Sequence, residues 1–552
     1  MTSLSSTQIL AAVLLVWLFK TVIQRFTAIA KTARDIRSCP GAGVLLYNPF
    51  GGLSLAVDRW SPIKWRFHDY HAIFDLYKHY GSTILSSFII WDGKPHYWLG
   101  DADAIKTVCD AKSVFQKDLD VYEGVLNLWG TNIVTTEGAE WKMHRSIVKT
   151  AFNEANNALV WQETTRLARN WMSDIENNRK DGHVDLSEDL LLIMMQIIQA
   201  AGFGRHPNWE ETIRSKDKLE LLPFEEALST STSHLIPRSI TPNWLIDIAE
   251  KVQIPKISSK LTMIRKGFND IEFHMLDLVA LARTWMESTH KDGIPDAALL
   301  RNLVEANSAE EGTKRLNDGE LLSNAFMFLV AGHETTTHAL SFTIAFMAIY
   351  PDVQHKVLEE VSSLTNGDLS TPLSYKEHMS KLVYTTAVFY ESNRLCTITP
   401  RLGRVAVTDT TLQARRFKVG PDGSAQDIEE FPVHIRRGDQ ILLDLAAVHM
   451  NPIYWGKDVH EFRPERFIDT DTYRWPRDAF LAFSTGHRSC IGQKFGTTES
   501  LCLIANLIRK FEILPPPDLQ NKPFSEQKSI VDWKTWLTTT PCNARVSLRH
   551  RV

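Results

Sequence analysis

The segment GELLSNAFMFLVAGHETTTHALSFTIAFMAIYPDV, from Gly319 to Val353, is apolar on nearly every face of the helix that it predicts. A helix of about thirty residues with this character either crosses a membrane or forms the axis of a large core. Its middle carries His333 and Glu334, and ionisable side chains are costly inside a bilayer. The segment therefore predicts a buried central helix that ends where Pro351 begins the next element.

The chain is long enough to enclose such a helix, since it has 552 residues, of which 44% are hydrophobic and 23% are charged. We see no linker in its body and expect one catalytic domain. The longest polar interruption, Gln413–Glu430, is interpreted as a surface insertion between strands. The net charge of −4 gives no electrostatic argument for nucleic-acid binding. Six scattered cysteines without a C-x-x-C pair favour a reducing compartment.

The remaining sequence predicts a mainly helical protein with a smaller β-rich region. The stretch ILSSFIIWDGKPHYWLG, residues 84–100, places an Asp-Gly turn between two β-rich runs and predicts a hairpin. From Glu140 to Asn177 and from Leu186 to Ala201, apolar residues recur at helical spacing.

The N-terminal segment Ile9–Phe19 is solidly apolar and lies near the lower length limit of a membrane-spanning helix. Basic residues follow it at Lys20, Arg25, Lys31, Arg34 and Arg37. By the positive-inside rule they stay in the cytoplasm. We therefore predict a transmembrane anchor with a basic linker over residues 1–37 and a cytoplasm-facing catalytic domain over residues 38–552. The alternative is a cleaved signal peptide, but the segment lacks a charged n-region and the chain has no N-x-S/T sequon.

The centre of the long predicted helix contains a candidate proton relay. Thr335 follows Ala331 by one helical turn, with Gly332 between them, and Glu334 places an acid beside the Thr335 hydroxyl. Gly332 lets another group approach the backbone closely or lets the helix open locally. The alternative is structural: Thr335 bonds back to the carbonyl four residues earlier, and Glu334 pairs with a lysine elsewhere.

The stretch FSTGHRSCIG, Phe483–Gly492, holds a single cysteine in a glycine-rich turn ahead of a predicted helix. Buried packing is one role for Cys490, because free cysteine is among the most buried residue types. The helix N-terminus, however, favours a thiolate, and Gly486 and Gly492 allow close approach of a large planar group. A lone thiolate suits a metal whose other positions are filled, such as haem iron.

These residues resemble the haem-ligand loop of the cytochrome P-450 monooxygenases, whose pattern F-x-x-G-x-R-x-C-x-G is matched throughout. Further motifs of that family occur in its order. They are WKMHR with Trp141 and Arg145, AGHETT at Ala331–Thr336, ESNR at Glu391–Arg394, Arg404 in PRLGRVAVTD, and FRPERF at Phe462–Phe467. The sequence most resembles microsomal members of fungal secondary metabolism. Only CPGAG, Cys39–Gly43, stands where such members have a proline-rich hinge.

The resemblance implies the cytochrome P-450 fold, mainly α with a smaller β-rich region, and a haem b cofactor. Cys490 would be the axial iron ligand, and Glu334 and Thr335 would deliver protons on the opposite side of the haem. The cofactor-binding residues would be Trp141, Arg145, Arg404, Phe483, Gly486, Arg488, Cys490 and Gly492, with four of them, Trp141, Arg145, Arg404 and Arg488, at the propionates. A structural role in holding the fold would fall to Glu391, Arg394 and Arg466.

The implied reaction inserts one oxygen atom: R–H, O₂, two electrons and two protons give R–OH and water. No flavin or nicotinamide domain follows Val552, so we expect electrons from NADPH through a separate cytochrome P-450 reductase, with cytochrome b5 as a possible second donor. We expect the protein itself to be a single-pass protein of the endoplasmic reticulum membrane, with its catalytic domain facing the cytoplasm. Lys142, Lys149 and Lys494 would dock the acidic partner or simply form a solvated surface.

The segments that would line the substrate site are mostly apolar: Val121–Val134, Phe328–Ala331 and Ile398–Pro400. They indicate a lipophilic substrate, with a terpenoid or another secondary metabolite suggested by analogy. Three alternatives stay open: a haem-thiolate isomerase or dehydratase, a non-catalytic haem sensor, and a transporter-like second membrane span.

Overall fold

The computed structural model describes residues 6–41, 43–45, 73–89, 93–179, 182–206, 221–253, 255–287, 298–309, 314–535 and 538–551. Helices dominate these ranges, as the sequence predicts. The α-helices are α1 Ser6–Asp35, α2 Asp75–Tyr80, α3 Ala102–Asp110, α4 Leu119–Leu126, α5 Gly138–Lys149, α6 Glu154–Asn178, α7 Leu186–Phe203, α8 Phe224–Ser233, α9 Leu235–Ile240, α10 Asn243–Val252, α11 Ile257–Glu287, α12 Ala298–Ser308, α13 Asp318–Ile349, α14 Pro351–Ser363, α15 Tyr375–His378, α16 Val383–Leu395, α17 Leu445–His449, α18 Pro452–Trp455, α19 Gln493–Lys510 and α20 Phe524–Gln527.

Most β-strands of the described residues have six residues or fewer. The strands are β1 Gly43–Leu45, β2 Ile84–Ile89, β3 Pro95–Leu99, β4 Phe115–Gln116, β5 His183–Asp185, β6 Arg401–Ala406, β7 Thr410–Val419, β8 Ala425–Ile435, β9 Gln440–Asp444, β10 Phe511–Leu514, β11 Trp533–Thr535, β12 Thr539–Pro541 and β13 Arg545–His550. Strands β7 and β8 are longer than the others. The chain divides into two compact units. Unit 1 comprises Met1–Asp118, Pro400–Val459 and Thr485–His487, and unit 2 comprises Leu119–Thr399, His460–Ser484 and Arg488–Val552.

Unit 1 contains the smaller β-rich region. Its main sheet has the strand order β1-β2-β3-β9-β6-β4. Strands β2 and β3 are antiparallel, with Ile84 opposite Leu99, which confirms the predicted hairpin. Asp92 of the predicted turn lies outside the described residues, whereas Gly93 has a φ of 66°, the left-handed conformation that favours glycine there.

The polar stretch Gln413–Glu430 is not an insertion between strands, as we had expected, because it forms strands itself. Strands β7 and β8 pair antiparallel, with Gln413 opposite Pro432 and Val419 opposite Ala425. The inward side chains Leu412, Ala414 and Phe417 are buried. The charged side chains of the stretch lie mostly on the other face, which explains its polar composition.

Unit 2 is built around α13, the predicted central helix. Asn317 caps its first turn: the Asn317 side chain accepts from Glu320 N, and the Glu320 side chain accepts from Asn317 N. The helix is buried over most of its circumference and packs against α7 and α16. It ends at Ile349, and Pro351 begins α14, as predicted.

The helical pattern from Glu140 to Asn177 forms two helices rather than one. Helix α5 ends at Lys149, and α6 begins at Glu154. Asn153 causes the break, because its backbone is extended and its Oδ1 accepts from Asn156 N at 2.9 Å as an N-cap.

Helix α1 contains the predicted anchor and continues through the basic linker to Asp35. Leu14, Leu15, Val16 and Trp17 have exposed side chains. Among the described helices, length and apolarity single out α7 as able to cross a membrane. Helix α7 is largely buried within unit 2 and is therefore a core helix.

Candidate active site

The Cys490 turn is tied by its own backbone. Cys490 N donates to Phe483 O at 2.9 Å, and α19 begins at Gln493 directly after the turn. Gly486 has a φ of 71°, and a Cβ there would lie 3.0 Å from the Cys109 carbonyl oxygen, so glycine is required. Gly492 has an ordinary backbone, and a Cβ at this position would lie 3.9 Å from Cys490 Sγ. Gly492 therefore leaves space beside the sulfur atom.

Cys490 and Cys542 are exposed, whereas the other four cysteines, Cys39, Cys109, Cys396 and Cys502, are buried. Protein atoms nevertheless surround the Cys490 thiol closely, and this desolvation raises the pKa of Cys490 despite the opposing influence of Gly492 N–H and Arg145. The backbone N–H of Gly492, the N-cap of α19, does lower the pKa of Cys490 as expected, but desolvation has the larger effect. Metal coordination is what removes a thiol proton in such a setting.

Trp141, Arg145 and Arg488 form one cluster. The Trp141 ring is buried, and the guanidinium carbons of Arg145 and Arg488 lie 5.5 Å and 4.2 Å from its centroid. Arg488 donates to the carbonyl oxygens of Ile133 and Thr136 and pairs with Glu137 Oε2 at 2.7 Å.

Arg145 differs from Arg488 in its partners. Within the described ranges Arg145 forms no ion pair with a carboxylate, and burial lowers its pKa while Cys490 raises it. A half-buried cation beside an accessible sulfur ligand fits an anionic metal cofactor, so these residues match the cofactor that the resemblance implies.

Arg404 belongs to unit 1, on β6, and its side chain is buried. Its Nη1 donates to Gly403 O at 2.8 Å. Among the described residues of unit 1, no ion pair joins Arg404 to a carboxylate. A buried guanidinium with a carbonyl acceptor alone also suits an anionic ligand.

In the central part of α13, Gly332 lies against α7, and the Thr335 hydroxyl bonds to the backbone of its own helix. A Cβ on Gly332 would lie 3.1 Å from Ile198 Cδ1 of α7, so Gly332 allows the two helices to approach. Thr335 Oγ1 donates to Ala331 O at 2.7 Å. This is the hydrogen bond of the structural alternative, and it holds the Thr335 hydroxyl in place.

Glu334 does not pair with a lysine among the described residues, nor is its carboxylate hydrogen-bonded to Thr335. Thr538 Oγ1 lies 3.5 Å from Glu334 Oε1, and burial raises the pKa of Glu334. Thr538 is not predicted as a site residue from the sequence. No motif marks it, and about two hundred positions separate it from Glu334.

The ESNR and FRPERF motifs are in contact, in line with the fold-holding role expected for Glu391, Arg394 and Arg466. Arg394 Nε donates to Glu391 Oε2 at 2.7 Å, Arg394 Nη2 donates to Glu391 Oε1 at 2.9 Å, and both side chains are fully buried. Arg466 Nε lies 3.3 Å from Glu391 Oε1, and Arg463 N donates to the same oxygen at 2.9 Å. One carboxylate thus joins α16 to the segment near Arg466.

Apolar side chains gather beside the first half of α13. Trp129 lies 5.1 Å from Phe326 and 6.5 Å from Phe268, measured between ring centroids. Phe328 lies 6.0 Å from Phe152. These rings belong to or adjoin two of the segments that we expected to line a substrate site.

The three lysines of the expected docking face differ in their partners. Lys142 and Lys149 are exposed on α5. Lys494 is also exposed but forms an ion pair with Glu154, so its charge is partly balanced. Tyr375 Oη also donates to Glu154, at 2.7 Å.

Comparison with known proteins agrees with this geometry. The Cytochrome P-450 family model matches residues 60–422 and 423–536. Cytochrome P-450 monooxygenase 124 of Postia placenta is 31% identical over 92% of this chain and 90% of its own length. Cytochrome P-450 monooxygenase ORF6 of Penicillium roqueforti is 26% identical over 76% of this chain and 73% of its length. The phomenoic acid biosynthesis cluster cytochrome P-450 monooxygenase of Leptosphaeria maculans is 25% identical over 76% and 74%. The chain therefore belongs to the cytochrome P-450 family and is a monooxygenase of the fungal type.

Proposed function

We propose that the protein is a haem-thiolate monooxygenase in which Cys490 binds the haem iron and which oxidises a lipophilic secondary metabolite. The observation that carries the proposal is the accessible Cys490 thiol beside Arg145, a half-buried cation with no carboxylate partner in the described ranges. When bound, haem with a thiolate ligand supplies reductive activation of O₂ and cleavage of its O–O bond.

The propionates would be bound by Arg145 and Trp141 of α5, and the resemblance alone assigns Arg404 to them as well. Arg488 differs from the other two arginines in its partners, because the carbonyl oxygens of Ile133 and Thr136 and the carboxylate of Glu137 already accept its hydrogen bonds. It would hold Trp141 and the Cys490 turn in place and contribute its charge to the propionates. Phe483, Gly486 and Gly492 would shape the turn around the cofactor.

Glu334 and Thr335 would handle the two protons that the reaction consumes. A carboxyl whose pKa is raised by burial holds a proton at higher pH and can donate it. The Thr335 hydroxyl, fixed by its bond to Ala331 O, would orient the group that accepts this proton.

A terpenoid or similar product of secondary metabolism is the substrate class that we favour. The aromatic side chains Trp129, Phe268 and Phe326 support an apolar substrate. The relative from the phomenoic acid cluster supports a place in secondary metabolism.

Electrons would come from NADPH through a cytochrome P-450 reductase, or in part through cytochrome b5, docked near Lys142 and Lys149. We place the protein on the cytoplasmic side of the endoplasmic reticulum membrane. The exposed apolar side chains of α1 support this location, as do those of α10, where Trp244 and Ile248 are exposed.

The test is the absorption of the reduced carbonyl complex in the full-length protein. Cys490→His should abolish the red-shifted band that a thiolate ligand produces and should also abolish product formation. Cys542→Ser changes another exposed cysteine and is the matched control. An unchanged band in Cys490→His would assign the iron to a different residue, and product formation without NADPH would favour the isomerase or dehydratase.

A further inference from the structure

Glu334, Thr538 and His338 of unit 2 form a hydrogen-bonded series, in this order, that the sequence did not predict. Thr538, directly before β12, lies with its Oγ1 3.5 Å from Glu334 Oε1 and 3.4 Å from His338 Nδ1. Glu334 and His338 are one turn apart on α13 and therefore share a face. Thr538 and His338 are buried, and Glu334 is partly buried. The Thr538 hydroxyl thus bridges the acid and the imidazole.

The protonation states of the three groups suit proton transfer better than ion pairing. Burial lowers the pKa of His338 to about 4, with the neighbouring His333 and Lys534 contributing, so its ring is neutral at neutral pH. Burial also raises the pKa of Glu334. A neutral imidazole, a hydroxyl and a carboxylic acid can each donate one proton and accept another.

The imidazole of His338 has an exposed lysine as a neighbour. Lys534 on β11 is exposed, and it is close enough to His338 for its charge to act on the imidazole. The other end of the series is Glu334, whose neighbour Thr335 already donates its hydroxyl proton to Ala331 O. Thr538 is thus the hydrogen-bond partner of Glu334 within the described residues.

We propose that His338 and Thr538 resupply Glu334 with protons, so that the relay runs from His338 through Thr538 to Glu334. This rests on the proposed function, in which Glu334 donates a proton on the Thr335 side. Glu334 then takes the hydroxyl proton of Thr538, Thr538 takes the Nδ1 proton of His338, and His338 takes a proton from solvent at Nε2. One proton enters and one leaves, and His338 is left as its Nε2–H tautomer. Exchange of both ring protons with solvent restores the Nδ1–H tautomer before the next passage. Thr538 and His338 act through Glu334 and are positioning residues.

The test uses Thr538→Val, which keeps the side-chain shape and removes the hydroxyl, and Thr538→Ser, which restores the hydroxyl. The first measurement needs no turnover: the carboxylic acid C=O stretch of Glu334 in infrared spectra of the full-length haem protein, assigned by its loss in Glu334→Gln. Thr538→Val should shift this band to higher frequency, and Thr538→Ser should return it. A band that stays in place in Thr538→Val would overturn the proposal.

The second measurement is the product formed per NADPH consumed with reductase. A positioned acid or base contributes about 10²–10⁴-fold to proton transfer, and water can replace part of this. We therefore expect a fall of about tenfold in Thr538→Val and His338→Gln, with recovery in Thr538→Ser. Full coupling in both variants would overturn the relay. If the parent itself lacks the thiolate carbonyl band, the proposed function fails, and the infrared result still decides whether Thr538 contacts Glu334.

Discussion

Glu391→Gln should strongly destabilise the protein, because Glu391 is the carboxylate that two buried arginines share. It accepts two hydrogen bonds from Arg394, at 2.7 and 2.9 Å, and one from Arg463 N at 2.9 Å, while Arg466 Nε lies 3.3 Å away. Glutamine has nearly the same shape but no charge, and its amide group would face a guanidinium donor. Removing one member of a buried ion pair costs about 3–5 kcal/mol.

A loss of about 3–5 kcal/mol in the free energy of unfolding corresponds to a fall of about 3–4 °C in Tm for cooperative unfolding of a chain of 552 residues. The assay is guanidinium unfolding followed by tryptophan fluorescence, with every variant fully loaded with haem because bound ligand adds to apparent stability. Glu526→Gln is the matched control, since Glu526 is exposed and lies 3.9 Å from Lys522. Glu526→Gln should lower the free energy of unfolding by less than about 1 kcal/mol. Equal unfolding free energies for the two variants would refute the reasoning.

Four further predictions concern the site, stability and location. Thr335→Ala should keep haem content and the carbonyl band but divert NADPH electrons to hydrogen peroxide; full coupling would remove Thr335 from the relay. Arg145→Leu should weaken haem retention about tenfold or more, measured by haem transfer to apomyoglobin, since a charged hydrogen bond contributes about 1.5–3 kcal/mol; unchanged retention would show that Arg145 holds no propionate. Burial raises the pKa of Asp439 to about 6, so the unfolded chain releases this proton first and stability falls as the pH rises from about 4 to 6. Asp439→Asn should flatten this part of the pH–stability curve in chemical denaturation, and an unchanged slope would assign it to other groups. Deleting Met1–Arg37 should reduce flotation with phospholipid vesicles, and equal flotation of both forms would refute the anchor.

The features predicted correctly from the sequence are those that neighbouring residues determine. The apolar composition of Gly319–Val353 and the position of Pro351 are local, and they located the central helix and its end. Glu391 and Arg394 are three residues apart on one helix, so their pairing is also local. The β2–β3 hairpin follows from alternating β-rich runs around a turn, and pairing across that turn needs no distant information.

The Gln413–Glu430 stretch was misinterpreted because its strand period is interrupted. Leu412 and Ala414 point inward two residues apart, but the next inward residue is Phe417. A register shift between Arg416 and Lys418 inserts the extra residue. A search for strictly alternating apolar and polar residues therefore does not detect the strand across this bulge. The many charged residues of the outer face then resemble the composition of a loop.

The partners of Glu334 and the ionisation of Cys490 depend on three-dimensional packing. Thr538 reaches Glu334 only because the segment before β12 folds back onto α13, and nothing near either residue encodes this approach. For Cys490, the helix N-terminus was a local signal that acts in the expected direction, since the Gly492 N–H lowers the thiol pKa. Desolvation by atoms distant in sequence outweighs it and raises the thiol pKa.

These two acids and one cation together explain why the site suits a charged cofactor. Burial shifts the thiol of Cys490 and the carboxyl of Glu334 toward their protonated forms, and no carboxylate of the described residues pairs with Arg145. Under the proposed function, an iron porphyrin would supply propionates for Arg145 and a metal ion for the Cys490 sulfur. The raised pKa of Glu334 would then keep a proton on the central helix for the proposed relay.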